Sequence, residues 1–172
     1  MSDSEQPSAE LGISTGQIEI RSREELARLS LQLAAQASRR LDIVSRHLDS
    51  DLYDNNLFCE AVKRLALSHR NARIRLLIID SKPLKTRSHR LLDLAARLTS
   101  FIAIYGPGAQ HRDFNEAFLL ADDAGYIQRR FGDRFEGSAD FNDRRTTLAL
   151  RERMDDMWER GSPDLSFRRL HI

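Results

Sequence analysis

Ile74-Arg75-Leu76-Leu77-Ile78-Ile79 is the stretch on which the fold turns. Five of its six residues are aliphatic, and Arg73 and Asp80 bound it with charge. So short and continuous an apolar run is the pattern of a β-strand covered on both faces. Upstream, Leu57, Phe58, Ala61, Val62 and Leu65 recur at helical spacing, and before them Leu41-Asp42-Ile43-Val44 reads as another strand. Ser45 to Asp51 is a polar turn between the two, with Asp49 or Asp51 as the expected helix N-cap. Further back, Ser22 and Glu25 form a capping box ahead of Leu26, Leu29, Leu33 and Ala37, and Gln17 to Ile20 alternates as a short strand.

Downstream, Asp80-Ser81-Lys82-Pro83 breaks the run, and Leu84, Leu91, Leu92, Ala95 and Leu98 predict one helix. Phe101 to Tyr105 is a strand stopped by Gly106-Pro107-Gly108. Ala117 to Asp122 is a strand that turns at Asp123-Ala124-Gly125 into Tyr126-Ile127-Gln128. Arg144 to Glu159 closes the chain as a helix with Leu150, Met154, Met157 and Trp158 on one face. Strands alternating with helices predict an α/β fold: a mixed, mainly parallel sheet with helices on its faces. Residues 1–13 are Ser, Glu and Pro rich and read as a disordered acidic tail, leaving 14–172 as one domain.

The chain has 172 residues, 41% hydrophobic and 31% charged, enough for one domain with a core. No apolar run approaches the ~18 residues of a membrane span, and MSDSEQPSAELG lacks the basic and apolar regions of a secretory signal. A cytoplasmic location is the expectation. The single Cys59 excludes an internal disulfide framework and a cysteine zinc site, and reads as a buried, inert thiol. Asp49, Asp51 and Glu60 match three positions of a calcium loop, but Tyr53 and Asp54 stand where an oxygen ligand and a glycine are needed. Gly106-Pro107-Gly108 lacks the spacing and lysine of a phosphate loop, and the five histidines show no metal spacing. No metal and no cofactor are expected.

Charge is more informative by position than in total. The net charge is only +1, from 27 Lys+Arg against 26 Asp+Glu, and all but Lys63, Lys82 and Lys85 of the basic residues are Arg. Residues 63–97 hold ten basic residues against Asp80 and Asp93, a surplus of eight. Within that segment Lys82, Lys85, Arg87 and Arg90 are the anion-binding candidates. Such a region suits a phosphate backbone or an acidic protein face, although it lacks the interleaved aromatics of a base-stacking platform. A solvated helix face accounts for the same charges.

In order, Leu41 to Ser45, Leu48 to Asp54, Phe58 to Leu67 and Arg73 to Asp80 resemble the first β-α-β unit of the phospholipase D superfamily. Asn115-Glu116-Ala117-Phe118-Leu119-Leu120-Ala121-Asp122 has the layout of that family's His-x-Lys-x-x-x-x-Asp strand. Glu136 to Phe141 is similar to its Gly-Ser-x-Asn strand, and Met157 to Ser162 resembles the end of some members. The likeness runs over about residues 40–162 and implies the family's single α/β domain. In active members the motif histidine attacks phosphorus and the lysine binds phosphate oxygens. Here those positions hold Asn115 and Ala117, and only Asp122 remains.

No residue is assigned as catalytic on that basis, since the nucleophile is missing. Asn115, Asp122, Ser138 and His111 are the candidates for what is left of the site. The resemblance implies an inactive binding module whose partner is nucleic acid, a phosphorylated ligand or an acidic protein. It also implies a homodimer, because single-copy relatives pair to build one site. A phosphodiesterase built on His111, Asn115 and Asp122 is the alternative.

Overall fold

The computed structural model describes residues 8–167, so the expectations for residues 1–7 and 168–172 lie outside the described residues. Its centre is the run that opened the sequence reading. Strand β3 (Arg73–Ile78) lies between two parallel neighbours, β2 (Arg40–Ser45) and β4 (Ile102–Gly106). Beyond β2 come β5 (Ala117–Ala121), β6 (Gly125–Arg129), β7 (Gly137–Asp140) and the edge strand β1 (Ile18–Ile20). Beyond β4 lies the two-residue β8 (Ser162–Pro163). The eight strands run in the order β1-β7-β6-β5-β2-β3-β4-β8.

The sheet is mixed, with helices on both faces, as expected. Its balance differs: only β2–β3 and β3–β4 are parallel, and the other five pairings are antiparallel. The connections decide this. A parallel crossover needs about a dozen residues, and the turn at Asp122–Ala124 leaves β6 no choice but to run back beside β5. Periodicity does not predict β8, because two residues are too short to carry a hydrophobic period, whereas β7 falls on the strand that the resemblance implied at Glu136 to Phe141.

One face is covered by α1 (Arg23–Gln36), α3 (Asn56–Ser68) and α4 (Arg90–Arg97), which pack Leu29, Leu33, Phe58, Val62, Leu65 and Leu91 onto Ile43, Ile74, Leu76 and Leu119. The short helix α2 (Ser50–Tyr53) joins β2 to α3. The opposite face is covered by α5 (Arg144–Arg160), whose Leu150, Met154 and Met157 meet Val44, Leu77, Phe118 and Leu120.

That second face also buries charge. Asp42, 1% exposed, accepts from Arg75 Nε at 2.8 Å and Arg151 Nε at 2.9 Å. Arg75 reaches Asp155 at 2.8 Å and sits 5.3 Å from the ring of Trp158, which stacks on Tyr105. Burial works against the Asp42 carboxylate, but Arg75 and then Arg151 hold its pKa below the ordinary range.

Three local expectations change. Residues 9–13 are not free tail: Ala9 and Leu11 pack on the core, Gln36 bonds both Leu11 N and Ala9 O, and Gly12 N donates to Phe141 O. The predicted third helix is split. Pro83 opens a 3-10 turn at Lys82–Thr86, Arg87 is extended, and α4 starts after His89, whose Nδ1 accepts from Leu91 N. Asp49 takes the N-cap position of α2 but makes no side-chain cap bond, its carboxylate being on Arg129, and α3 has a separate N-cap in Asn55, whose side chain accepts from Phe58 N.

Candidate functional site

Antiparallel pairing brings the carboxyl ends of β2 and β6 to one edge with the amino ends of β5 and β7. Strand β1 delivers the N-terminus of α1 to the same edge. Arg129, the last residue of β6, is the register partner of Ala117 and faces the same side of the sheet. Its side chain is 5% exposed. It donates through Nη2 to Asp49 Oδ2 at 2.5 Å and through Nη1 to the carbonyls of Gly132 and Arg134 at 3.2 and 3.0 Å. Gly132 N donates to Asn115 O at 2.7 Å, so the 130–135 loop closes over the start of β5.

Behind the ion pair, Tyr53 is buried. Burial, helped by Asp49, pushes its phenol pKa up while Arg129 opposes the shift, so Tyr53 stays a neutral hydroxyl. In front lies a concavity of about 250 Å³ lined by Arg23, Ser50, Asp51, Arg134 and Phe135 as well as the pair itself. Arg23 approaches Asp51 at 3.6 Å across it. Phe131 and Phe135 are 54% and 36% exposed on the loop, with Arg134 stacked at 5.4 Å over Phe131. The edge therefore offers guanidiniums, exposed aromatic rings and one fixed carboxylate–guanidinium pair.

The residues expected from sequence do not gather here. Asn115 is exposed at the head of β5 and joins the edge only through its carbonyl. Asp122 lies past the far end of that strand. Its carboxylate accepts from the backbone N–H of Ser38, Arg39 and Arg40 and from the Ser38 hydroxyl, which fixes the α1–β2 connection. Ser138 is paired with Gln128 and Glu19 on the α5 side of the sheet, opposite to Arg129. His111 ends a 3-10 turn (Ala109–His111), with Nε2 4.0 Å from Asp156 of α5 and Nδ1 buried without a partner among the described residues. A site made of His111, Asn115 and Asp122 is not assembled.

The basic segment is dispersed as well. Lys82, Lys85 and Arg87 are exposed around the 3-10 turn after β3. Arg90 opens α4, where its N–H and side chain both bond Asp54. Arg75 is in the buried cluster, and Arg73 lies at the other end of the sheet. Cys59 is half-buried, with burial raising its pKa. Among the described residues no three His, Cys, Asp or Glu side chains are grouped to hold a metal ion, and no helix is long and apolar enough to cross a membrane.

Arg129, Asp49 and Tyr53 went unread because each comes from a different element. The legible signal was Arg129-Arg130-Phe131-Gly132-Asp133-Arg134-Phe135, where arginines alternate with aromatics outside the segment of highest charge.

The arrangement of strands and helices is that of phospholipase-D-like proteins. Nuc from Salmonella typhimurium, a phospholipase D family member, superposes with a TM-score of 0.60 at 12% identity over 87% of this chain and 98% of its own. NucT from Helicobacter pylori does so with a TM-score of 0.60 at 11% identity, again over 87% and 98%. TrmBL2, an archaeal chromatin protein with a novel mode of DNA binding, gives 0.59 at 13% identity over 86% of this chain. The chain spans about half of TrmBL2, 52% of its length. No curated protein matches the chain in sequence. By sequence it belongs to the family described as a domain of unknown function, DUF7931, whose model matches residues 22–170.

Proposed function

We propose that this chain is a phospholipase-D-like module that binds the phosphate groups of nucleic acid without hydrolysing them. One observation carries the reading. Beside Ala117, where the resemblance would require the phosphate-binding lysine, the space is taken by Arg129 locked onto Asp49 and by the loop above it. Asn115 supplies no nucleophile at the histidine position. The motif is read as degenerate on these grounds. The pair and loop leave Arg23, Arg130 and Arg134 at the surface with Phe131 and Phe135. Guanidiniums for the backbone and rings for unstacked bases are the two components of a single-strand surface. Lys82, Lys85 and Arg87 lie at the carboxyl end of β3, on the same edge of the sheet, and would extend that field.

The phosphodiesterase alternative is disfavoured by Asp122, whose oxygens serve backbone N–H groups at the far end of β5. An acidic protein partner would use the arginines but give no role to the exposed rings. The test is a mobility-shift titration of a labelled single-stranded oligonucleotide from about 50 to 200 mM salt. A steeply salt-dependent shift, lost in R130Q/R134Q and weakened in F131S, is the expected result. No shift at the lowest salt overturns binding, and shortening of the oligonucleotide by the purified chain overturns inactivity.

A further inference from the structure

The opposite edge of the sheet, at the amino ends of β2 and β3, carries a second basic concavity. Arg40 and Arg73 are register partners on neighbouring parallel strands, so their side chains leave the same face side by side. Like charges placed directly opposite repel. Arg40 gains little relief: its nearest carboxylate oxygen, Asp42 Oδ2 at 3.8 Å, already accepts from Arg75 and Arg151. Two guanidinium nitrogens here, Arg40 Nε and Arg151 Nη2, are buried with no hydrogen-bond partner among the described residues. A buried, unpaired charged donor costs several times what a made hydrogen bond contributes.

Arg40 also lines an open concavity of about 750 Å³. It is lined by Arg39, Arg40, His69, Asn71, Arg73 and Asp123. Asp123 is engaged by Arg151 Nη1 at 3.0 Å, and Asp155 by Arg75. Asp122 is engaged by the backbone of residues 38–40, and His69 Nε2 donates to Ser38 O at 2.7 Å. Counting Arg39, Arg40, Arg73, Arg75 and Arg151 against Asp42, Asp122, Asp123 and Asp155, guanidiniums still outnumber carboxylates. Burial, then Arg151, act to lower the Arg40 pKa, with Asp42 only partly offsetting them. An anion would reverse that balance.

We propose that this edge is a binding site for a phosphate group, held by Arg39, Arg40 and Arg73. The scaffold is preformed, because Asp122 pins the backbone that presents Arg39 and Arg40, and Arg39 O accepts from Arg73 N at 3.0 Å. The planar forks of several arginines match the oxygens of a phosphate better than one carboxylate could satisfy them. The site lies a full strand length from the Arg129 edge and needs neither that edge nor the reading placed on it.

The phosphate belongs either to a small molecule or to a nucleic-acid backbone, and the arms of one experiment separate them. Calorimetric and thermal-unfolding titrations at low salt use inorganic phosphate, pyrophosphate and an oligonucleotide lacking terminal phosphates. Phosphate and pyrophosphate are expected to raise the unfolding temperature more than acetate at equal ionic strength. R39Q/R73Q, at two exposed positions, is expected to stay folded and to lose about tenfold in affinity for each arginine removed. R40K, keeping the charge but not the fork, is expected to bind more weakly than wild type. Response to the oligonucleotide that R39Q/R73Q abolishes assigns the site to backbone phosphate, and response to pyrophosphate alone assigns it to a small molecule. An equal response to acetate, no response to any phosphate, or unchanged affinity in R39Q/R73Q overturns the site.

Discussion

Asp42 and Asp49 each hold an arginine of a later element, on opposite faces of the same sheet. Asp42 is 1% exposed and accepts from both Arg75 and Arg151 under the cover of α5. Asp49 is 29% exposed and holds Arg129 alone at the lip of an open concavity. The first cluster is enclosed by the sheet and α5, so its bonds hold the fold together. The second fixes a loop that faces solvent, so the same chemistry there sets the shape of a surface. Burial, more than residue type, separates a structural ion pair from one that shapes a site.

The sharpest way to break this comparison is Asp42→Ala. It leaves two buried guanidiniums without their shared acceptor, and a loss of about 3–5 kcal/mol in urea unfolding is expected. A loss below about 1 kcal/mol would mean that water reaches the cluster. Arg129→Gln comes next, at about 1–3 kcal/mol for the hydrogen bonds removed. Its distinctive result is faster amide exchange confined to residues 130–135, whereas Asp42→Ala should speed exchange across β2, β3 and α5.

Asp143→Ala removes the N-cap of α5, where the carboxylate accepts from Thr146 N at 3.0 Å, and should cost about 1 kcal/mol without altering either pair. The smallest effect is in pH. Asp42 is depressed in the folded state, so its stabilisation is present above the unfolded carboxylate pKa and is lost as pH falls through the folded value. The His89 pKa is also depressed, chiefly by burial, and the ring accepts from Leu91 N through Nδ1 and donates to Leu48 O through Nε2, the bonding of a neutral imidazole. Its contribution is therefore full above the unfolded histidine value of about 6.5 and declines as pH falls below it. Unfolding free energy measured between about pH 7 and 5 should decline in wild type and stay flatter in His89→Gln, with the Asp42-dependent loss only below that window.

Much of the fold was legible because the apolar runs are regular. Ile74 to Ile79, the Ser22 capping box and the α5 stripe each predicted their element within a residue or two. What failed was short or shared between elements: β8, the kink after Pro83, and the docking of Ala9 and Leu11 through Gln36. The site was read far less well. Asn115 and Asp122 lie on one strand in sequence, but a five-residue strand spans roughly 16 Å, so its two ends serve different edges. The surplus of charge in residues 63–97 is real along the chain, yet β3 and α4 carry it to several surfaces and one buried cluster.

Sequence alone determined that this chain alternates strands and helices in a phospholipase-D-like order. Side-chain periodicity and residue identity are local properties, so they can be read without coordinates. Only the tertiary structure decided that Arg129 meets Asp49, that Arg40 stands beside Arg73, and that the sheet is antiparallel outside its centre. Those facts depend on register between strands distant in the chain, which the backbone connections fix and residue order does not reveal.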